Sequence, residues 1–232
     1  MKQADEDWAN IKMRFGGTGI NHPPARHPPA PVLPSNLHGK STLMNTKITP
    51  QEFFTAWKRV CETRKSRLLN EWTSRPNYTA EIFDVDGVVI KGLAQELKLD
   101  VYGGYYSLDA IFINEETDRV HCAPKNQNWF QNVRIAFEHE NIFRSGLFQE
   151  VSHLLITRAD LRVLVTYPDN EEDLSTELAK LARIVSESDL AKSDPALLLI
   201  IGDRINSNSD IRWRAYTHQQ NQLLSLTTWM NF

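Results

Sequence analysis

Two predominantly apolar runs, Leu161 to Tyr167 (broken only by Arg162 and Thr166) and Ala196 to Ile201, constrain this chain more than any other feature. A strand that alternates apolar and polar residues can leave one face to water, but one that is apolar on both faces must be covered on both. Between the runs, Asp173 to Ser186 places Leu174, Leu178, Leu181 and Val185 on one helical stripe. The order strand, helix, strand predicts parallel neighbours at the centre of a sheet with helices on its faces. The expected fold class is α/β, or α+β-like, with a mixed central β-sheet flanked by helices.

Upstream of these runs the pattern is more varied. Thr49-Pro50-Gln51-Glu52 carries a cap, a proline at the first helical position and an acid in the first turn, which predicts a helix start. Phe53, Ala56, Trp57, Val60 and Leu68 continue it towards Trp72. Asn77 to Lys91 reads as strand material around an Asp86-Gly87 turn, with Leu93 to Leu97 as a short helix. Tyr105 to Asn114 reads as a strand, Glu115 to Asp118 as a hairpin turn and Arg119 to Ala123 as a short return strand. Residues 132–140 form the next strand and Phe143 to Thr157 an amphipathic helix, while Ile211 to Tyr216 predicts a further strand.

The first 45 residues differ in composition. Gly16-Gly17-Thr18-Gly19 precedes a run containing Pro23, Pro24, Pro28, Pro29, Pro31 and Pro34, which favours an extended or disordered arm. Met44 begins a stretch that reads like a natural start, so this segment is expected to be an upstream extension or docking arm, with a single domain over 46–232. The 232 residues suffice for one sizeable core. A net charge of −3 supplies no global attraction to nucleic acid, although a local patch could still act. Two cysteines exclude a disulfide scaffold and a thiolate-rich metal site. No apolar run reaches the roughly 20 residues of a membrane span, and a cytoplasmic location is the expectation.

The chemistry concentrates in Val133-Arg134-Ile135-Ala136-Phe137-Glu138-His139-Glu140. Strand alternation puts Val133, Ile135 and Phe137 on one side and Ala136, Glu138 and Glu140 on the other. Two carboxylates on one face repel each other unless water, protons, a cation or a metal offsets them. Asp109 lies in the apolar run Leu108 to Ile113 and would need partners if buried. With the two strands adjacent, Asp109, Glu138 and Glu140 could converge on one divalent cation. Mg²⁺ or Mn²⁺ suits such an all-oxygen set.

These residues and their order resemble the restriction endonuclease-like, PD-(D/E)xK nuclease superfamily over roughly residues 51 to 201. The resemblance implies a core of one helix, three antiparallel strands, a helix and a parallel strand. Asp109 matches the aspartate on the second strand and Glu138 the acid on the third. Glu140 stands at the lysine position, as in some members, and Leu108 where a proline is usual. Gln149 and Glu150 lie on the following helix, where members often carry an auxiliary polar residue. The implied function is metal-dependent hydrolysis of phosphodiester bonds, on DNA before RNA. Asp109 and Glu138 would bind the metal, and Glu140 would bind it or assist the water. A homodimer is compatible with this reading. A non-catalytic binding or regulatory protein on the same fold is the alternative.

Phe83-Asp84-Val85-Asp86-Gly87-Val88-Val89 resembles the nucleophile motif of haloacid-dehalogenase-like phosphatases, with Thr166 and Gly202-Asp203 completing the set. Val88 replaces the usual threonine or serine, and an Asp-Gly turn is the plainer account. His121-Cys122 and His139 lack the paired spacing of a zinc site, and His139 is expected to pack in the core. Lys58, Arg64 and Lys65 on the first helix are candidate phosphate contacts, although a solvated helix face is the plainer account. Trp129, Phe130, Phe143 and Phe148 are expected in the core.

Overall fold

The computed structural model describes residues 47–83, 88–120, 129–143, 147–188, 196–205, 210–219 and 222–226. The proline-rich segment, Asp84–Gly87 and His121-Cys122 lie outside them. The chain enters through four helices: α1 (Pro50–Thr63), α2 (Lys65–Glu71), α3 (Arg75–Phe83) and α4 (Val88–Leu97). Strands β1 (Asp100–Tyr105) and β2 (Leu108–Ile113) follow, then a single helical turn, α5 (Glu115–Asp118), and β3 (Ile135–Glu140). Next come α6 (Leu147–Ile156), β4 (Leu161–Thr166), α7 (Glu171–Glu187), β5 (Ala196–Ile205), β6 (Asp210–Gln219) and β7 (Gln222–Ser225).

The seven strands form one mixed sheet in chain order, β1 to β7. The pairs β1–β2 and β2–β3 are antiparallel, β3–β4 and β4–β5 parallel, and β5–β6 and β6–β7 antiparallel. The two apolar runs are the parallel central strands, as their composition demands. Helices α1 to α4 cover one face through Phe53, Trp57, Leu68, Ile82 and Leu93, against Phe112, Ile135, Phe137 and Val163. Helices α6 and α7 cover the other through Leu147, Val151, Leu154, Leu174 and Leu181, against Ile111, Ala136, Leu164 and Leu199. The order of one helical layer, three antiparallel strands, a helix and a parallel strand is consistent in general outline with the restriction endonuclease-like core. No helix among the described residues is long and apolar enough to cross a membrane.

The start of α1 follows its sequence signal. The Thr49 hydroxyl accepts the Glu52 amide at 3.2 Å, and the Glu52 carboxylate accepts the Thr49 amide at 2.8 Å, which satisfies two otherwise orphan donors.

Several expectations are corrected. The first helix does not run unbroken to Trp72; it breaks at Arg64 into α1 and α2. The segment 77–91 is helical wherever it is described. Its Tyr78 and Ile82, then Val89, Ile90, Leu93 and Ala94, are buried at helical spacing, and packing overrides the strand preference of the β-branched residues. The strand expected over Tyr105 to Asn114 is broken by a turn at Tyr106-Ser107: Tyr105 ends β1 and β2 runs from Leu108 to Ile113. Glu115–Asp118 is a helical turn capped by the Asn114 side chain, and the described part of the return strand is an isolated bridge between Arg119 and Phe130.

The β2–β3 junction is fastened by a buried ion pair. Arg134 Nε and Nη2 donate to the two Asp118 oxygens at 2.6 and 2.7 Å, and both side chains are excluded from water. The Asn114 amide and the Thr117 hydroxyl also donate to Asp118. Burial alone would raise the Asp118 carboxyl, but the Arg134 hydrogen bonds and these further donors hold it below its ordinary range.

Candidate metal centre

The site forms where the β2–β3 ladder runs out. Backbone pairing ends at Ala110–Phe137. Beyond it, the Asp109 amide donates to Glu138 Oε2 at 3.1 Å, and the His139 amide donates to Asp109 Oδ2 at 2.8 Å. Each carboxylate thus takes the amide that the ladder leaves on the opposite strand. Asp109 and Glu138 lie on the face covered by α6, as strand alternation predicts, and Glu138 is only 1% exposed.

Helix α6 supplies the remaining groups. Glu150 and His153, three residues apart, share the helix face turned towards the sheet. His153 Nδ1 lies 3.4 Å from Glu138 Oε1 and 3.4 Å from Glu150 Oε2. One ligand atom from each of Glu138, Glu150 and His153 lies within 4.8 Å of the others. The helix is held in place by Arg162 on β4, whose Nε donates to the Leu154 carbonyl at 2.7 Å.

The electrostatics are those of crowded carboxylates. Burial, then the charges of Asp109 and Glu150, push the Glu138 carboxyl far above the carboxylate range. Glu138 Oε1 and His153 Nδ1 are buried 3.4 Å apart, and neither has a hydrogen-bond partner of good geometry. An acceptor and a ring nitrogen orphaned side by side are costly for a fold to keep. Both are relieved if a cation sits between them. The donors present therefore fit a divalent metal, held by Glu138, Glu150 and His153.

The other residues singled out from sequence are placed as follows. Glu140 shares the face of Glu138, but one of its carboxylate oxygens accepts the Ile142 amide at 2.6 Å, in the turn that leaves β3. Gln149 is exposed on α6, while Glu150 is buried within the cluster. Lys58, Arg64 and Lys65 belong to the helical layer on the opposite face of the sheet. Lys58 lies over the Phe54 ring, Lys65 contacts Asp210 at 3.1 Å, and Arg64 ends α1.

His139 is core, as expected. It stacks on Tyr78, its Nε2 is 2.9 Å from the Tyr167 hydroxyl, and burial pushes its pKa down to about 3. Thr166, invoked for a phosphatase, is buried and donates to the Glu140 carbonyl, and helices rather than a strand flank Asp84–Gly87. The expectation that Trp129 and Phe148 are core residues is corrected: they are 58% and 67% exposed. Phe143 is core as expected, Phe130 is partly buried against the same cluster, and Leu147 and Val151 supply the core contacts of α6.

His153 is the residue that sequence reasoning missed. Its signal was Glu150-x-x-His153 on the helix after an acidic strand, a spacing that presents both side chains to one ligand. Comparison with family models, with curated proteins and with solved structures gave no match.

Proposed function

We propose that this protein is a metal-dependent nuclease of restriction endonuclease-like architecture, hydrolysing phosphodiester bonds at the junction of β2, β3 and α6. The observation that carries this reading is the convergence of Glu138, Glu150 and His153 beside Asp109, with Glu138 Oε1 and His153 Nδ1 left unpartnered. The element order of the resemblance supports it, since the two acids expected on adjacent antiparallel strands are neighbours here.

In this reading Glu138, Glu150 and His153 hold the ion. Asp109 is a positioning residue: its amide fixes Glu138 Oε2 and leaves Oε1 facing His153. A bound dication supplies positive charge to a phosphodiester and lowers the pKa of a water. Tyr106, 84% exposed at the β1–β2 turn, and Phe148, 67% exposed on the outer face of α6, present rings to solvent on the elements that carry Asp109 and Glu150. Exposed rings of this kind stack on unpaired bases. DNA is preferred to RNA on the resemblance alone.

A second reading, a non-catalytic binding protein on the same fold, is favoured by one observation. The lysine position holds Glu140, which accepts the Ile142 amide. Cleavage of single- and double-stranded DNA and RNA with Mn²⁺, by the parent and E138Q, decides between them. The nuclease cuts at least one of these, and E138Q is slower by at least 100-fold. Ion binding with no cleavage of any of the four assigns the second reading. Equal rates for parent and variant remove the site from the reaction.

A further inference from the structure

The donor set differs in kind from the all-oxygen set that the acidic strand suggested. The ligand atoms that converge are those of Glu138, Glu150 and His153, and an imidazole nitrogen faces the two buried carboxylates at 3.4 Å. Two donors bound to one ion at about 2.1 Å lie about 3 to 3.5 Å apart, depending on the angle at the metal. The spacing of His153 Nδ1 from both carboxylates falls in that range, and its lone acceptor or donor is otherwise unmet.

We propose that His153 makes this centre selective for a transition-metal dication, in the range Mn²⁺ to Zn²⁺, over Mg²⁺. The inference rests on the metal-site reading above and deepens it. Mg²⁺ is a hard ion that binds oxygen, demands near-ideal octahedral geometry and keeps several of its waters. Imidazole suits iron, nickel, copper and zinc ions, while Mn²⁺, at the foot of the first-row order, is the most oxygen-preferring of the transition ions and so the most stringent comparison with Mg²⁺. The surroundings add to the discrimination. Glu138 and Glu150 are buried, and Leu147, Val151 and Leu154 pack the same helix face against the sheet. A dehydrated ion is accommodated there more readily than one that retains a full water shell. Arg162 fixes the C-terminal turn of α6 through the Leu154 and Thr157 carbonyls, so the imidazole is presented from an anchored helix.

Calorimetric titration of the full chain with MnCl₂, ZnCl₂ and MgCl₂ tests this, alongside His153→Asp, which keeps a ligand but makes it oxygen. The parent should bind Mn²⁺ at least tenfold more tightly than Mg²⁺, and H153D should narrow that ratio at least fivefold. Pulsed electron paramagnetic resonance of the Mn²⁺-loaded parent should show modulation from a directly bound ¹⁴N. No other histidine joins the cluster among the described residues, so this signal decides the matter even if H153D does not fold. Tight Mn²⁺ binding without nitrogen modulation, or an Mn²⁺/Mg²⁺ ratio unchanged in H153D, overturns the role of His153 and leaves the metal centre standing. No binding of any of the three ions by the parent overturns the metal centre itself.

Discussion

Glu138 is a buried carboxyl crowded by two others, Asp109 and Glu150. A carboxyl that titrates higher in the folded than in the unfolded chain contributes stability only below its unfolded value, and costs stability above it. At pH 7 the ion-free protein must therefore hold Glu138 protonated, against burial and the charges of Asp109 and Glu150. Glutamine has nearly the same shape and no charge to suppress. Glu138→Gln should raise the stability of ion-free protein at pH 7, by up to about 3 kcal/mol, measured by urea unfolding in chelator. A loss of stability would mean that Glu138 is ionised and satisfied without a cation.

At this scale the sequence was partly readable. Glu138 and Asp109 stand out because acids are rare inside apolar strands, and the structure sets them side by side. Glu140 looked equivalent by alternation, but alternation says nothing of the turn that follows, where the Ile142 amide takes its carboxylate. His153 was not readable from strand logic at all. It reaches the site from a helix, and only tertiary packing brings that helix over β3.

At the scale of elements, the β2–α5–β3 connection depends on Asp118 and Arg134. Asp118→Asn leaves the buried Arg134 with only its longer contact to Asp160 at 3.2 Å, so it should cost about 3 kcal/mol at pH 7, the lower end for a broken buried pair. The pH dependence has a definite sign. Asp118 is held below its ordinary value of 3.8, so its contribution is present above that value and lost as pH falls through the folded-state pKa. The gap between parent and D118N in urea melts should shrink between pH 5 and pH 2; a gap constant over that range would contradict the pairing.

The elements most easily misread are those whose local preference opposes their packing. Val88, Val89 and Ile90 are strand-formers by type, yet Val89, Ile90, Leu93 and Ala94 fill the α1–α4 layer as a helix. In that helix Gly92 sits against Val60, where an added Cβ would lie 2.8 Å from a valine methyl. Glycine reads as a breaker in sequence, but here it permits close helix contact. The strand β1 is the converse case, a Gly-containing segment paired along β2 at the sheet edge.

Over the whole molecule, the arrangement was more legible than the chemistry. Strands that are apolar on both faces belong at the centre of a sheet, and an intervening amphipathic helix makes them parallel, so the middle of the sheet follows from Leu161–Thr166 and the run Ala196 to Ile201. The strand order and the placement of four helices on one face do not follow from periodicity, which is blind to which layer an apolar stripe meets. The same layering separates Lys58, Arg64 and Lys65 from the acidic cluster by the thickness of the sheet. A net charge of −3 supplies no long-range attraction for nucleic acid.

The central claim is that Glu138, Glu150 and His153 form a cation centre. Its most direct test is the melting temperature of the full chain with and without Mn²⁺, for the parent and for Glu138→Gln. With Mn²⁺ near 100 times its dissociation constant, binding adds about 2.7 kcal/mol, which for a chain of this size raises the parent's melting temperature by about 5 to 10 °C. E138Q should show no shift. A parent that does not respond, or a variant that responds equally, would contradict the account.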